Sequence, residues 1–163
     1  MPQDDFVISN TSPLFYLHQI EQINLLRDLY SRVHVPQGVL TELRSGEKLG
    51  LKIPRLEAMD WVSIEQISIA QHLRRYTELG QGELEAISLG LNSPLSRIIL
   101  DDRAARDVAK ENNLEIIGTI GILLAAKQKG LVTAISPLLA TIRNKGFRMS
   151  ESMLRDALRR AGE

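Results

Sequence analysis

The sequence predicts an α/β chain, a three-layer α/β/α sandwich around a central parallel sheet. Two observations carry that expectation. Short Val- and Ile-rich runs alternate with amphipathic stretches along all 163 residues, and strands that alternate with helices pair in parallel through right-handed crossovers. No internal repeat, low-complexity tract or long linker divides the chain, so residues 1–163 are expected to form one domain that includes C-terminal helices over 136–163.

Each element has its own local reason. Residues 6–9, Phe-Val-Ile-Ser, follow Asp4-Asp5 and precede Asn10-Thr11-Ser12-Pro13, so they read as a buried strand delivering the chain to a helix. Ser12 suits an N-cap and Pro13 a first helical position. Two helical pieces extend from there to about Tyr30. Residues 32–35 form the next strand, stopped by Pro36, and Val39, Leu40 and Leu43 give a short helix that ends near Gly46. Residues 44–58 lack periodicity, and a short strand is expected over 61–64. A helix over 70–79 is broken by Gly80-Gln81-Gly82 and resumes over 83–91, with Leu84, Ile87 and Leu91 on one face. The strand over 97–100 runs directly into Asp101-Asp102 and a helix to about Asn112. Residues 115–117 make the last strand, and 118–129 a helix closed by Gly130. Ser136-Pro137 starts another helix that Gly146 closes, and Ser150 opens the final one.

Composition removes several classes of function. The chain has no cysteine, which excludes a disulfide scaffold, thiolate zinc ligation and a cysteine nucleophile. Its longest apolar stretch, residues 120–126, is far shorter than the ~18 residues of a membrane span. The start Met-Pro-Gln-Asp-Asp is acidic where a secretory signal is basic. A cytoplasmic protein with no membrane partner is therefore expected. The formal net charge of zero hides an asymmetry: residues 1–119 hold 12 basic and 17 acidic side chains, residues 120–163 hold 8 and 3. That split suits cations in one region and a polyanion in another, or an ordinary solvated helical tail.

In open parallel sheets the working site lies beyond the carboxyl ends of the strands. The strand over 6–9 delivers Asn10, and the strand over 97–100 delivers Asp101 and Asp102. Glu42 and Glu83 lie on helices that the crossovers bring toward the same edge. Clustered carboxylates drive protonation unless a cation neutralises them. With no cysteine and no His pair at ligand spacing, the cation expected is a hard one, Mg²⁺ or Mn²⁺. Each residue also has a plain reading. Glu83 favours the macrodipole at a helix start, Glu42 suits a solvated face, Asp102 a helix cap and Asn10 an Asx-turn.

Other motifs fail. Gly118-Thr119-Ile120-Gly121 lacks the third glycine of a dinucleotide fingerprint and the lysine of a P-loop, so it reads as a tight turn. His18, His34 and His72 are scattered. Of seven aromatic residues, Phe6, Phe15 and Trp61 are assigned to the core, which argues against a base-stacking platform. A phosphoacceptor aspartate is disfavoured because the first strand has no Asp-x-Asp and no suitably placed lysine follows.

Five blocks in order carry a resemblance: Val7-Ile8-Ser9-Asn10-Thr11-Ser12-Pro13-Leu14, Val35-Pro36 through Glu42-Leu43, Gly82-Glu83-x-Glu85-Ala86, Leu100-Asp101-Asp102-Arg103-x-Ala105-Arg106 and Ile117-Gly118-Thr119-x-Gly121. Together they resemble the PIN-domain proteins, specifically the DUF3368 group, over nearly the whole chain. The resemblance implies a PIN-like sandwich and a Mg²⁺- or Mn²⁺-dependent endoribonuclease. In the wider superfamily many members are VapC-like toxins paired with a small antitoxin protein, and homodimers are common. Carried over residue by residue, the catalytic set is Asn10, Glu42, Glu83, Asp101 and Asp102, with Asn10, Glu83, Asp101 and Asp102 as metal ligands. Thr11 and Ser12 line the mouth of the site. Arg103 and Arg106 meet phosphate or hold the acids in place, and Lys127, Lys129, Arg143, Lys145 and Arg148 hold the RNA backbone by charge. The departure is Asn10, where the superfamily pattern has aspartate. An amide oxygen still coordinates a cation, with one negative charge fewer. Asp5 is no substitute, because five residues at about 3.3 Å each put it roughly 16 Å away. The alternative expectation is a catalytically weakened PIN-like module that binds RNA or protein.

Overall fold

The computed structural model describes residues 6–163; Asp5 and the acidic start of the chain lie outside the described residues. Five strands, β1 (Phe6–Ser9), β2 (Val33–Pro36), β3 (Val62–Glu65), β4 (Ser96–Ile99) and β5 (Glu115–Ile117), pair in parallel in the order β3-β2-β1-β4-β5. The helices are α1 (Thr11–Gln19), α2 (Asn24–Tyr30), α3 (Gln37–Lys48), α4 (Gln81–Leu91), α5 (Arg103–Glu111), α6 (Thr119–Gln128), α7 (Ser136–Asn144) and α8 (Glu151–Arg160). The α/β/α sandwich expected from the alternation is the architecture found.

The layers follow from the two-residue repeat of a strand, which sends neighbouring side chains to opposite faces. On β1, Val7 enters a core shared with α1, α2, α3, α6 and α7, while Ile8 enters a second core shared with α4 and α5. On β4, Ile99 joins the first core and Ile98 the second. Both faces are covered, so each strand carries apolar residues at consecutive positions, Val7-Ile8 and Ile98-Ile99.

Strand order sets the site. From β1 the chain proceeds outward through β2 and β3, then crosses to β4 on the other side of β1. The crevice beyond β1 and β4 is thus the topological switch point, where ligands bind in such sheets. Ser9 stands opposite Ile99, and the Asn10 amide donates to the Ile99 carbonyl at 3.1 Å. Asn10 and the Asp101-Asp102 pair are therefore neighbours at one sheet edge.

Several boundaries differ from expectation. α1 begins at Thr11 with Asn10 in the N-cap position, and the Asn10 side chain makes no capping bond; Ser12 is already inside the helix. α3 starts directly after Pro36 and runs through Gly46, and α4 starts at Gln81 and includes Gly82. Residues 70–79 hold only a 3-10 turn, Gln71–Arg75. Within that turn Leu73 alone is buried, so no apolar face exists to support a longer helix.

The C-terminal helices are tied together by one residue. The Glu163 carboxylate accepts from the Ile135 and Ser136 amides at 2.8 and 3.0 Å, at the start of α7, and from Lys127 Nζ at 2.9 Å. Lys127 Nζ also donates to the Ala161 carbonyl at 2.6 Å. No helix among the described residues is long and apolar enough to cross a membrane.

Candidate functional site

A cleft of about 1480 Å³ opens over the carboxyl ends of β1, β4 and β5. Asn10, Thr11, Ser12, Glu42, Glu83, Asp101 and Asp102 all line it. Four separate stretches of chain, residues 10–12, 42, 83 and 101–102, thus meet, as the crossover argument requires.

The oxygens in the cleft divide into two kinds. Asn10 is 4% exposed, and its Oδ1 has no hydrogen-bond partner among the described residues. Glu83 Oε1 accepts from the Gly80 amide at 3.2 Å, one turn back at the start of its own helix, while Oε2 is buried without a partner. Asp102 is exposed and caps α5 through one oxygen, Oδ1, which accepts from the Ala105 amide at 3.0 Å. The carboxylates of Glu42 and Asp101 are engaged at both oxygens. Glu42 accepts from Thr11 Oγ1 at 2.5 Å and from the Gly82 amide at 2.7 Å. Asp101 accepts from the Thr119 amide at 2.7 Å and from Thr119 Oγ1 at 2.6 Å. Asp101 was expected as a metal ligand and Glu42 as a catalytic acid; each accepts a hydrogen bond from the protein at both oxygens.

Burial pushes the Glu83 carboxyl above its ordinary value; the Gly80 amide pulls it back, and the charges of Asp102 and Glu42 add to the rise. Burial also raises Asp101, against the Thr119 hydrogen bonds and the nearby Arg106 charge. An isolated Glu83 is thus held toward its neutral form by surroundings that a cation would reverse.

The donor set can be tested against a hard divalent ion. Among the described residues no three His, Asp or Glu side chains stand close enough together to hold a metal. Two buried oxygens nevertheless lack a donor among the described residues, Asn10 Oδ1 and Glu83 Oε2, and such orphans are rare unless an ion or water satisfies them. An amide oxygen, a carboxylate oxygen and the neighbouring Asp102 carboxylate are all hard ligands that suit Mg²⁺ or Mn²⁺. Asn10, Glu83 and Asp102 therefore offer the donor types such an ion takes.

Basic residues stand around the same cleft. Arg103, Arg106 and Arg148, expected from sequence, line it, and so do Lys110 and Arg160, which were missed. Arg103, Arg106 and Lys110 are spaced i, i+3, i+7, the signature of one helix face, so the signal was available. Arg106 turns inward, with Nη1 donating to the Leu100 carbonyl at 2.8 Å, which makes it a brace for the strand end. The expected RNA-binding residues Lys127, Lys129, Arg143 and Lys145 do not line the cleft. Lys127 is engaged by Ala161 and Glu163, and Arg143 pairs with Glu151 at 2.5 Å. Phe15, expected in the core, lines the cleft together with Tyr16 and Phe147, and Tyr16 packs edge-on against Phe147 with ring centres 5.2 Å apart.

The DUF3368 family, described as a PIN domain, matches residues 6–163. No curated protein and no solved structure matches the chain.

Proposed function

This chain belongs to the DUF3368 family of PIN domains, and from that premise we propose that it is a Mg²⁺- or Mn²⁺-dependent endoribonuclease. The observation that carries the reading is the pair of buried, partnerless oxygens on Asn10 and Glu83, which open beside Asp102 on a cleft rimmed by Arg103, Lys110, Arg148 and Arg160. Asn10, Glu83 and Asp102 would hold the cation. When bound, it would supply charge stabilisation for a phosphodiester and a water nucleophile at neutral pH.

The remaining steps belong to the chain itself. Arg103, Lys110, Arg148 and Arg160 would draw in and align the sugar-phosphate backbone by charge, since phosphate contacts position a nucleic acid without reading its sequence. Thr11 and Ser12 line the mouth, where a hydroxyl can meet a phosphate oxygen. Glu83, whose carboxyl burial pushes above its ordinary value, would bring its Oε2 to the cation beside Asn10 and Asp102. We extend the reading to a cytoplasmic homodimer that acts as the toxin of a pair with a small antitoxin protein, as the superfamily suggests.

Incubation of the purified chain with RNA and Mn²⁺, beside Asp102→Asn, tests the reading. Cleavage by the parent and its loss in the variant is the expected result; equal cleavage by both would assign the activity to a contaminant. A second reading is favoured by Asn10 and by the absence of a three-carboxylate group among the described residues: a PIN-like module that binds RNA without cutting it. Salt-sensitive RNA binding with no turnover in Mn²⁺ would select that reading.

A further inference from the structure

Three helices around the cleft begin on residues that cannot cap them. The N-cap of α3 is Pro36, that of α4 is Gly80 and that of α6 is Gly118, and none makes a side-chain capping bond. The first amides of a helix have no partner within it, and the N-cap side chain ordinarily supplies one. Here the acceptor comes from elsewhere in the chain. Glu85 of α4 takes the Gly38 amide of α3 at 3.1 Å. Glu42 of α3 takes the Gly82 amide of α4 at 2.7 Å. Asp101, beyond β4, takes the Thr119 amide of α6 at 2.7 Å.

We propose that Glu42, Glu85 and Asp101 are positioning residues, each capping the first turn of another helix, and that this exchange aims Glu83 and Asp102 into the cleft. The inference rests on the reading that the cleft holds a divalent cation, and it divides the acids into two that face the ion and three that hold the frame. α3 and α4 cap each other reciprocally. Glu42 fixes Gly82, the residue before Glu83; Glu85 fixes the start of the helix that carries Glu42. Asp101 fixes α6 while Arg106 braces the Leu100 carbonyl, so the strand end that presents Asp102 is held from two sides.

Two independent observations support this division. The second oxygens of all three carboxylates are also occupied: Glu42 by Thr11 Oγ1, Glu85 by Gln81 Nε2 at 2.7 Å, and Asp101 by Thr119 Oγ1. In addition, each carboxylate arrives at a glycine. A Cβ on Gly82 would lie 2.9 Å from both Glu42 oxygens, and one on Gly118 would lie 3.2 Å from Asp101 Oδ1. A Cβ on Gly38 would lie 2.9 Å from Glu85 Cδ and nearer still to Oε2. The glycines leave room for the incoming acids.

Amide and alanine substitutions separate a cap from a ligand. Glu42→Gln and Asp101→Asn keep an oxygen for the helix amide and place an NH₂ group where it can donate to the threonine hydroxyl. Alanine removes both bonds. Mn²⁺ binding to the full-length variants is measured by titration calorimetry, and melting is measured in EDTA. The two amide variants are expected to bind Mn²⁺ within about tenfold of the parent, while the alanine variants lose about 10–100-fold, the range for residues that orient ligands. The amide variants should melt within about 3 °C of the parent and the alanine variants clearly lower, as loss of a cap requires. Glu83→Gln should lose Mn²⁺ binding without loss of melting temperature. The inference is overturned if Glu42→Gln or Asp101→Asn loses Mn²⁺ as fully as Glu83→Gln with melting unchanged. A parent that binds no Mn²⁺ ends the nuclease reading alone. The caps are then judged by melting, and alanine variants as stable as the parent would refute them.

Discussion

Replacing Glu83 by glutamine keeps the bond from the Gly80 amide to Oε1 and removes a charge whose second oxygen is buried without a donor. Leaving such a group unsatisfied costs about 1–3 kcal/mol. Because Glu83 is only partly buried, solvent screening places the effect at the lower end, about 1 kcal/mol. In a chain of this size that corresponds to about 2–4 °C in melting temperature, so Glu83→Gln should melt higher than the parent at pH 7 in EDTA. The sign follows from linkage. Burial raises the folded-state pKa of Glu83 above its ordinary 4.5, so the folded parent holds its proton after the unfolded chain has released it. The parent is then relatively most stable below 4.5 and loses that advantage as pH rises through the folded value. The gap between variant and parent should open above pH 4.5, level off beyond the folded value, and vanish in acid. Mn²⁺ at 100 times its Kd should stabilise the parent by about 2.7 kcal/mol and leave the variant little changed, inverting the order of melting. Differential scanning calorimetry from pH 4 to 8, with EDTA and with Mn²⁺, reads all of this. A variant that melts below the parent in EDTA at pH 7, or equal stabilisation of both by Mn²⁺, would refute the account of Glu83 as a desolvated ligand.

Asn10→Asp adds a charge beside Glu83 and Asp102; it should tighten Mn²⁺ by at least about tenfold in calorimetry and lower the melting temperature in EDTA, because a third carboxylate then shares the edge. Arg148→Ala and Arg160→Ala should weaken RNA binding about equally across sequences and reduce the slope of log K against log salt by about one each, measured by fluorescence anisotropy. Lys127→Ala should lower the melting temperature by releasing Ala161 and Glu163, while RNA affinity measured in the same assay stays unchanged. Loss of RNA affinity in that variant would return Lys127 to the RNA-binding surface.

Much of the fold is legible in the amino-acid order because the evidence is local. Val7 and Ile8, Ile98 and Ile99 are apolar at consecutive positions, which only a strand covered on both faces demands. The helix over 70–79 misled because local propensity says nothing about what lies beneath it: Leu73 and Leu79 are the buried core residues there, and their spacing of six residues does not repeat on one helix face. Gly80-Gln81-Gly82 reads as a break when seen alone. It is a helix start whose glycine makes room for Glu42, forty residues earlier. The candidate site was legible to the same degree. That acids gather at the sheet edge follows from strand order, and Asn10 and Asp102 take their places directly from it.

The sequence by itself determined the parallel sandwich, the exclusion of thiolate chemistry, and the identity of the acids able to meet at one edge, since patterning and side-chain type are properties of short segments. Tertiary structure alone decided what each oxygen does there. Hydrogen-bond partners are assigned by distance in space: Thr11 and Gly82 occupy Glu42, Thr119 occupies Asp101, and no donor among the described residues reaches Asn10 Oδ1 or Glu83 Oε2. A carboxylate that accepts a helix amide and one whose buried oxygen meets no donor are the same letter in a sequence, and the donors within reach tell them apart.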